Sequence, residues 1–267
     1  MLAIDLEVTE KRYRQAPRPA IAGLTLAAAR GEFLALVGPS GCGKSTLLAI
    51  LAGLDRDYQG SVRFSRDGTG ILQPRLGFIF QEPRLMPWLS ARENLLLVLQ
   101  GWPDALVRAR EALAAVGLAE WEAAYPGQLS GGMQRRVALA RAFCVEPEVL
   151  LLDEPFVSLD APTANSLRKL LAALWHAQRP TVVFVTHALR EALALADRVQ
   201  FLSAGPARVV LDLPVTLPRP RMPEDPAVSA LQQRLLADHP ELLEGRVGAN
   251  LDRPEQPAAP AGLRRLP

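Results

Sequence analysis

"FLALVGPSGCGKSTLLAILAGL", residues 33–54, decides how the rest of this 267-residue chain is read. Phe33 to Gly38 form a short apolar run ending in glycine, the pattern of a buried strand entering a turn. From Lys44 to Leu54 the apolar residues fall at helical spacing, with Gly53 near the end. Between the two lie Gly38, Pro39, Ser40, Gly41, Cys42, Gly43, Lys44, Ser45 and Thr46. Gly38, Gly43, Lys44 and Ser45 stand at the offsets of a phosphate-binding loop, in the strand–turn–helix context that such a loop needs. Glycines let the backbone curl until several N–H groups meet one anion, and the following helix adds its positive end. Lys44 supplies a formal charge between β- and γ-phosphates, Ser45 a hydroxyl for Mg2+, and Thr46 a contact to the α-phosphate. The positive charges of this chain are nearly all Arg, with Lys only at positions 11, 44 and 169. A compact ammonium suits a nest of amides better than a planar guanidinium does.

Outward from this loop, strand-like and helix-like stretches alternate. "LAIDLEV" (2–8) alternates in polarity and predicts an edge strand. "GSVRF" (60–64) and "RLGFIF" (75–80) read as two more strands. From about 91 to 145, Leu, Ala, Arg and Glu recur at helical spacing, which predicts a helical subdomain. "EVLLLDEP" (148–155) and "PTVVFVTH" (180–187) are further buried strands, each preceded by a helix-like segment. The alternation predicts an α/β domain with a mostly parallel sheet. From Gly205 on, Pro and Arg become frequent, and "DRPEQPAAPAGLRRLP" (252–267) has the composition of a loose tail.

Composition narrows the class. With 49% apolar residues the chain can bury a sizeable core, and a net charge of +2 gives no bias toward nucleic acid. Cys42 and Cys144 have neither disulfide nor metal-site spacing. The first residues lack the apolar core of a signal peptide, and no run of about 18 apolar residues occurs. A soluble, cytoplasmic protein is expected.

Two acids stand out. Asp153 and Glu154 end the apolar run "VLLLDEP", where ligands sit in open α/β sheets. A pair of acids there can simply solvate a strand end. With a phosphate loop upstream, Asp153 can instead anchor Mg2+ and Glu154 act as general base on a water facing the γ-phosphate. His187 ends the next apolar strand, where a lone histidine is more often structural; the upstream acids favour a contact to the γ-phosphate. His176 and His239 have no such setting and read as surface residues.

"LSGGMQ" (129–134) is the stretch that identifies a family. Read alone, it is a helix cap, with Ser130 at the N-cap and Gly131 and Gly132 following. In company with the motifs above it resembles the signature of the ATP-binding cassette (ABC) proteins, the ATPase subunits of ABC transporters. The resemblance covers roughly residues 1–215. Gln81 in "FIFQEP" matches that family's Q-loop glutamine, with a Mg2+ and water contact. "SLD" (158–160) matches the D-loop, so that Asp160 faces a partner subunit. His187 matches the switch histidine, and Tyr13 the aromatic that stacks on adenine.

The resemblance implies a P-loop NTPase fold of ABC type, α/β, with an α-helical subdomain and an N-terminal antiparallel β subdomain. The cassette is expected over 1–215, and 216–267 as an extension that is partly helical and then Pro-rich. It implies ATP and Mg2+ as cofactors and a head-to-tail homodimer on ATP binding, in which Ser130, Gly131 and Gly132 close over the γ-phosphate held by the other subunit. It further implies transmembrane permease subunits as partners, and a peripheral place on the cytoplasmic face of the inner membrane. Trp88, Leu85 and Met86 form an apolar cluster that reads either as a cradle for a permease helix or as a local core. "LMPWLSARENL", "YPGQLSGGMQRR", "LLLDEPF" and "GPARVVLDLPVTLPRPR" resemble the nitrate, sulfonate and taurine uptake branch, which implies an extracytoplasmic solute-binding protein. Gly127 and "VSLDAPTA" depart from that branch's usual residues. Two other classes compete: a soluble ABC ATPase working on DNA or ribosomes, and an ATP-sensing module that closes without turnover. The single cassette without sustained heptads speaks against the first, and the presence of Glu154 and His187 against the second.

Overall fold

The computed structural model describes residues 2–247, apart from Gln15 and Leu72. The expected loose tail at 252–267 lies outside the described residues.

The chain starts with β1 (Ala3–Lys11) and β2 (Ile21–Ala28), which pair antiparallel. Then come β3 (Phe33–Val37), α1 (Lys44–Leu51), β4 (Gln59–Arg66), β5 (Thr69–Ile71) and β6 (Leu76–Ile79). The middle is helical, with α2 (Ala91–Leu96), α3 (Ala105–Ala115) and α4 (Gly131–Phe143). After it follow β7 (Val149–Asp153), α5 (Ala161–Gln178), β8 (Thr181–Thr186), α6 (Leu189–Leu195), β9 (Arg198–Leu202), β10 (Val209–Pro214) and α7 (Pro226–Asp238).

Two sheets result. The smaller is antiparallel in the order β2-β1-β4-β5. The larger runs β10-β9-β3-β8-β7-β6, parallel throughout except that β10 pairs antiparallel with β9. The expected edge strand near the N-terminus is therefore a central one: β1 has β2 on one side and β4 on the other. Residues 21–28 carry no clear strand pattern in the sequence, yet they form β2, with Ile21, Leu24, Leu26 and Ala28 buried along it.

Period-two alternation in the parallel strands sends side chains into two different cores. Leu34 and Leu36, Val149 and Leu151, and Val183 and Val185 face α1 and the antiparallel sheet. Phe33, Ala35 and Val37, Leu150 and Leu152, and Val182 and Phe184 face α5 and α6. Val228, Leu235 and Leu242, from α7 and just beyond, pack into this second core. A sheet covered on both faces has no polar side to spare, which is why these strands read as unbroken apolar runs.

The helical layer has its own core of Leu95, Leu99, Leu113, Val116 and Leu129. α4 belongs to both bodies. Its Val137, Ala140 and the following Cys144 enter the helical core, while Leu139, Ala142 and Phe143 pack against the parallel sheet. Among the described residues no helix is long and apolar enough to cross a membrane.

Trp175 is the largest of the fully buried side chains, at 1% exposure. Its ring meets Phe33 edge-on at 5.6 Å, and its indole N–H donates to the Pro180 carbonyl at 3.1 Å. Trp175→Ala removes this packing and orphans that carbonyl; we expect a loss of about 3–5 kcal/mol in unfolding free energy, read as a lower urea midpoint.

Candidate functional site

β3, β7 and β8 are neighbours, and their carboxyl ends open on one place. The loop after β3 turns back over that edge before α1 begins. Gly43, at the N-cap of α1, takes φ +108°. A side chain there is strained by the backbone alone, and its Cβ would also lie 3.1 Å from the Ala20 carbonyl. Cys42 directs its side chain into the core, at 1% exposure, and a Cβ at Gly38 would stand 3.0 Å from its sulfur. Burial pushes the Cys42 thiol up, so it is a packing group and only its backbone faces the loop. That N–H is turned inward, donating to the Pro39 carbonyl at 3.3 Å.

Lys44 is 5% exposed. Its ammonium donates to the carbonyls of Gly38 (2.9 Å) and Pro39 (3.0 Å) and lies 4.0 Å from Glu154 Oε1. The cation is thus held over the concave side of the loop by two neutral acceptors and one carboxylate. The next residue, Ser45, donates its hydroxyl to Asp153 Oδ1 at 3.1 Å. Burial raises the Asp153 carboxyl above its ordinary range, and neighbouring Glu154 adds to the rise; the Ser45 bond and Lys44 work the other way. A carboxylate so placed gains from any cation brought beside it.

Glu154 follows at once, with the left-handed backbone φ of +44° that non-glycine residues rarely adopt. Its N–H donates to the Val185 carbonyl at 2.9 Å, which ties the turn after β7 to β8. Its Oε2 hydrogen-bonds His187 Nδ1 at 2.8 Å. The His187 side chain is 55% exposed, so one edge of the ring meets the carboxylate while the rest stays accessible. Lys44, Ser45, Asp153, Glu154 and His187 therefore form one cluster. Tyr13 joins it from the loop after β1, since its hydroxyl shares a 3.0 Å hydrogen bond with the Thr46 hydroxyl. Its ring is 47% exposed with the Lys11 ammonium 4.7 Å from its centre.

Four sets of sequence-predicted residues lie outside this cluster. Gln81 has an exposed side chain beyond β6, and its carbonyl accepts from Arg135 at 2.8 Å. Ser130 caps α4, accepting the Met133 N–H at 3.2 Å, and Gly131 and Gly132 open that helix. Among the described residues, no hydrogen bond joins Ser130, Gly131 or Gly132 to the phosphate-type loop. Asp160, the third residue of "SLD", caps α5 by accepting the Thr163 N–H at 3.1 Å. Trp88 is largely exposed, while Leu85 is half-buried against the helical core, so only part of that apolar cluster is local core.

Sequence reasoning missed Arg135. Besides Gln81, it donates to the carbonyls of Pro155 (2.9 Å) and Val157 (2.8 Å). Arg141, two turns on, donates to those of Pro83 (2.9 Å) and Arg84 (3.0 Å). Burial pulls both guanidinium groups down from their ordinary value. In the sequence they are two of several arginines on an amphipathic helix, indistinguishable from a solvated face.

Ser45 Oγ and Asp153 Oδ1 are hard oxygen donors at the edge of an amide-rich loop, a set suited to a hard divalent cation. Among the described residues no group of three or more His, Cys, Asp or Glu could hold a metal alone. A cation here therefore depends on phosphate oxygens and water for its remaining ligands, the usual arrangement for Mg2+.

Comparison with known proteins agrees with this geometry. Residues 21–157 match the ABC transporter family. The aliphatic sulfonates import ATP-binding protein SsuB of Bacillus subtilis (strain 168) is 42% identical over 242 residues, which cover 89% of this chain and 94% of that protein. SsuB 2 of Streptomyces avermitilis is 46% identical, over 83% of this chain and 85% of its own length. Among solved structures, the dimeric post-hydrolysis state of the ATP-binding cassette MJ0796, bound to ADP and Pi, superposes with a TM-score of 0.69 at 32% identity. That match covers 80% of this chain and 99% of MJ0796. The chain belongs to the ABC transporter family and is an ATP-hydrolysing subunit of that kind.

Proposed function

We propose that this chain energises the import of a small sulfonate-type anion through separate permease subunits, working as an ATP-closed homodimer on the cytoplasmic face of the membrane. The observation that carries the ATPase site is the Lys44–Ser45–Asp153–Glu154–His187 cluster at the ends of three neighbouring strands. The cargo class rests on the SsuB relatives, named for aliphatic sulfonate import and similar over most of both chains. The dimer rests on the likeness to the dimeric MJ0796 cassette.

In this reading the loop amides and Lys44 bind the triphosphate, and Ser45 and Asp153 would hold Mg2+, which would supply charge neutralisation to the phosphates. Lys44 exchanges its carbonyl partners for phosphate oxygens, a stronger charge-assisted bond. Glu154 orients and deprotonates the attacking water, and His187, already bonded to Glu154, steadies the γ-phosphate. Gln81 takes the Mg2+ and water contact, and Tyr13 offers its exposed ring to the adenine. Ser130, Gly131 and Gly132 sit at a helix N-terminus and, among the described residues, make no hydrogen bond to the loop of residues 38–46, which fits a role toward the nucleotide of the partner subunit. ATP then stabilises the closed pair because it touches both halves, and hydrolysis removes that differential affinity. The cassette is assigned to 1–215 with 91–145 as its helical part, the remainder being an extension; an extracytoplasmic binding protein delivers the cargo.

Glu154→Gln is expected to lower ATP turnover about a hundredfold or more while ATP still binds. It also turns the ATP-loaded chain into a dimer in size-exclusion chromatography; a fully active Glu154→Gln protein would overturn the mechanism. Chelating Mg2+ with EDTA abolishes turnover, and adding back Mg2+ restores it; turnover that persists in EDTA excludes the metal assignment. Vesicles holding the permease and this chain, supplied with the binding protein, take up an alkanesulfonate in an ATP-dependent way. Uptake of nitrate with no sulfonate uptake would reassign the cargo.

A further inference from the structure

Glu154 and His187 sit on two different turns, after β7 and after β8, and the proposed chemistry needs them in register. One side chain touches the neighbours of both. Arg168, in the second turn of α5, lies with its guanidinium 5.0 Å from the centre of the Phe156 ring, two residues beyond Glu154. Its Nη2 donates to Glu191 Oε1 on α6. The other oxygen of Glu191 accepts the Thr186 hydroxyl at 3.0 Å, and that hydroxyl accepts the Ala188 N–H at 3.0 Å. Thr186 and Ala188 flank His187, so both sides of that residue hang from one carboxylate. The second arm of Arg168 is fixed as well: Nη1 donates to Asn165 Oδ1 at 2.6 Å, and Asn165 donates to Glu224 Oε1 at 3.2 Å.

The pair is costly as a purely structural device. The side chains of Arg168 and Glu191 are 11% and 13% exposed. Arg168 Nε is one of two buried side-chain polar atoms without a partner among the described residues. Apolar residues of similar volume would pack there without an orphaned donor, often at no loss of stability. What they would not do is hold Thr186. Glu154, with φ +44°, also needs surroundings that over-determine its backbone.

We propose that Arg168 is a positioning residue: by gripping Phe156 on one side and Glu191 on the other, it holds Glu154 and His187 together for the attack of water on ATP. This rests on the catalytic reading of those two residues given above. Arg168 touches neither nucleotide nor water itself.

The test uses full-length protein and ATP turnover measured across ATP concentration, with circular dichroism melts alongside. Arg168→Met lowers kcat about tenfold or more, as a small misplacement of reacting groups does, and leaves KM for ATP within about twofold. Arg168→Lys, a point charge without the fork, recovers part of the loss. Because Arg168→Met strands a buried carboxylate, the double variant Arg168→Met with Glu191→Leu is measured too. It leaves no unpaired charge, melts close to the parent, and is as slow as Arg168→Met. A double variant with the parent kcat, or one whose KM rises in step with its loss of kcat, overturns the proposal. Glu154→Gln and His187→Ala serve as references. If both turn over ATP at the parent rate, the site reading fails; if both are slow and the double variant is not, the role of Arg168 alone falls.

Discussion

A parallel sheet buried on both faces can carry polar chemistry only where its strands end. β3, β7 and β8 send alternate side chains into two apolar cores, and none of their interior positions has room for a charge. Asp153, Glu154 and His187 stand at the first positions where the chain leaves that environment. The same constraint places Lys44, whose helix starts where the loop from β3 turns back over the sheet. Its ammonium, buried but not in an apolar pocket, is kept in company by two carbonyls and a carboxylate. Burial of such a charge is tolerable only with partners of this kind.

Strand ends alone do not set a geometry. Glu154 and His187 come from turns that are separate in sequence, and they are joined by a backbone bond from Glu154 to Val185 and by the contact between their side chains. Two arginines of α4 act on the backbone rather than on acids. Arg135 and Arg141 spend their donors on loop carbonyls, which fixes the paths of residues 81–84 and 155–157 without adding a counter-charge near the site. Arg221 does the same at the carboxyl end of α6, binding the carbonyls of Ala194 and Ala196, while Arg219 reaches the Leu195 carbonyl and the Asp197 carboxylate together.

Patterns that depend on local spacing were legible in the sequence. The apolar runs, the glycine-lysine loop and the helical block all appear as period or motif, and each becomes the corresponding element. β2 escaped because Gly23 and several alanines give it weak strand propensity; its place is set by pairing with β1. That is also why β1 was expected at an edge. β10 lies in a stretch whose prolines suggest irregular chain, although Pro214 sits at the end of an edge strand, where its missing N–H costs little. For the candidate site, the residues gathered at the ends of β3, β7 and β8 could be named from sequence. Arg135 and Arg168 could not. Each lies on a helix whose spacing marks it as solvated, and its real partners are carbonyls or acids far along the chain.

Arg135 has one more consequence. It belongs to the helix opened by Ser130, yet its guanidinium binds a carbonyl from the segment after β6 and two from the turn after Glu154. Three backbone oxygens on two loops thus answer to a single planar fork whose spacing cannot stretch. Any tilt of the helical layer must drag Gln81 and the chain beyond Glu154 along with it, or else give up those bonds together. The fork is a rigid linkage between the helix opened by Ser130 and two loops at the carboxyl edge of the parallel sheet.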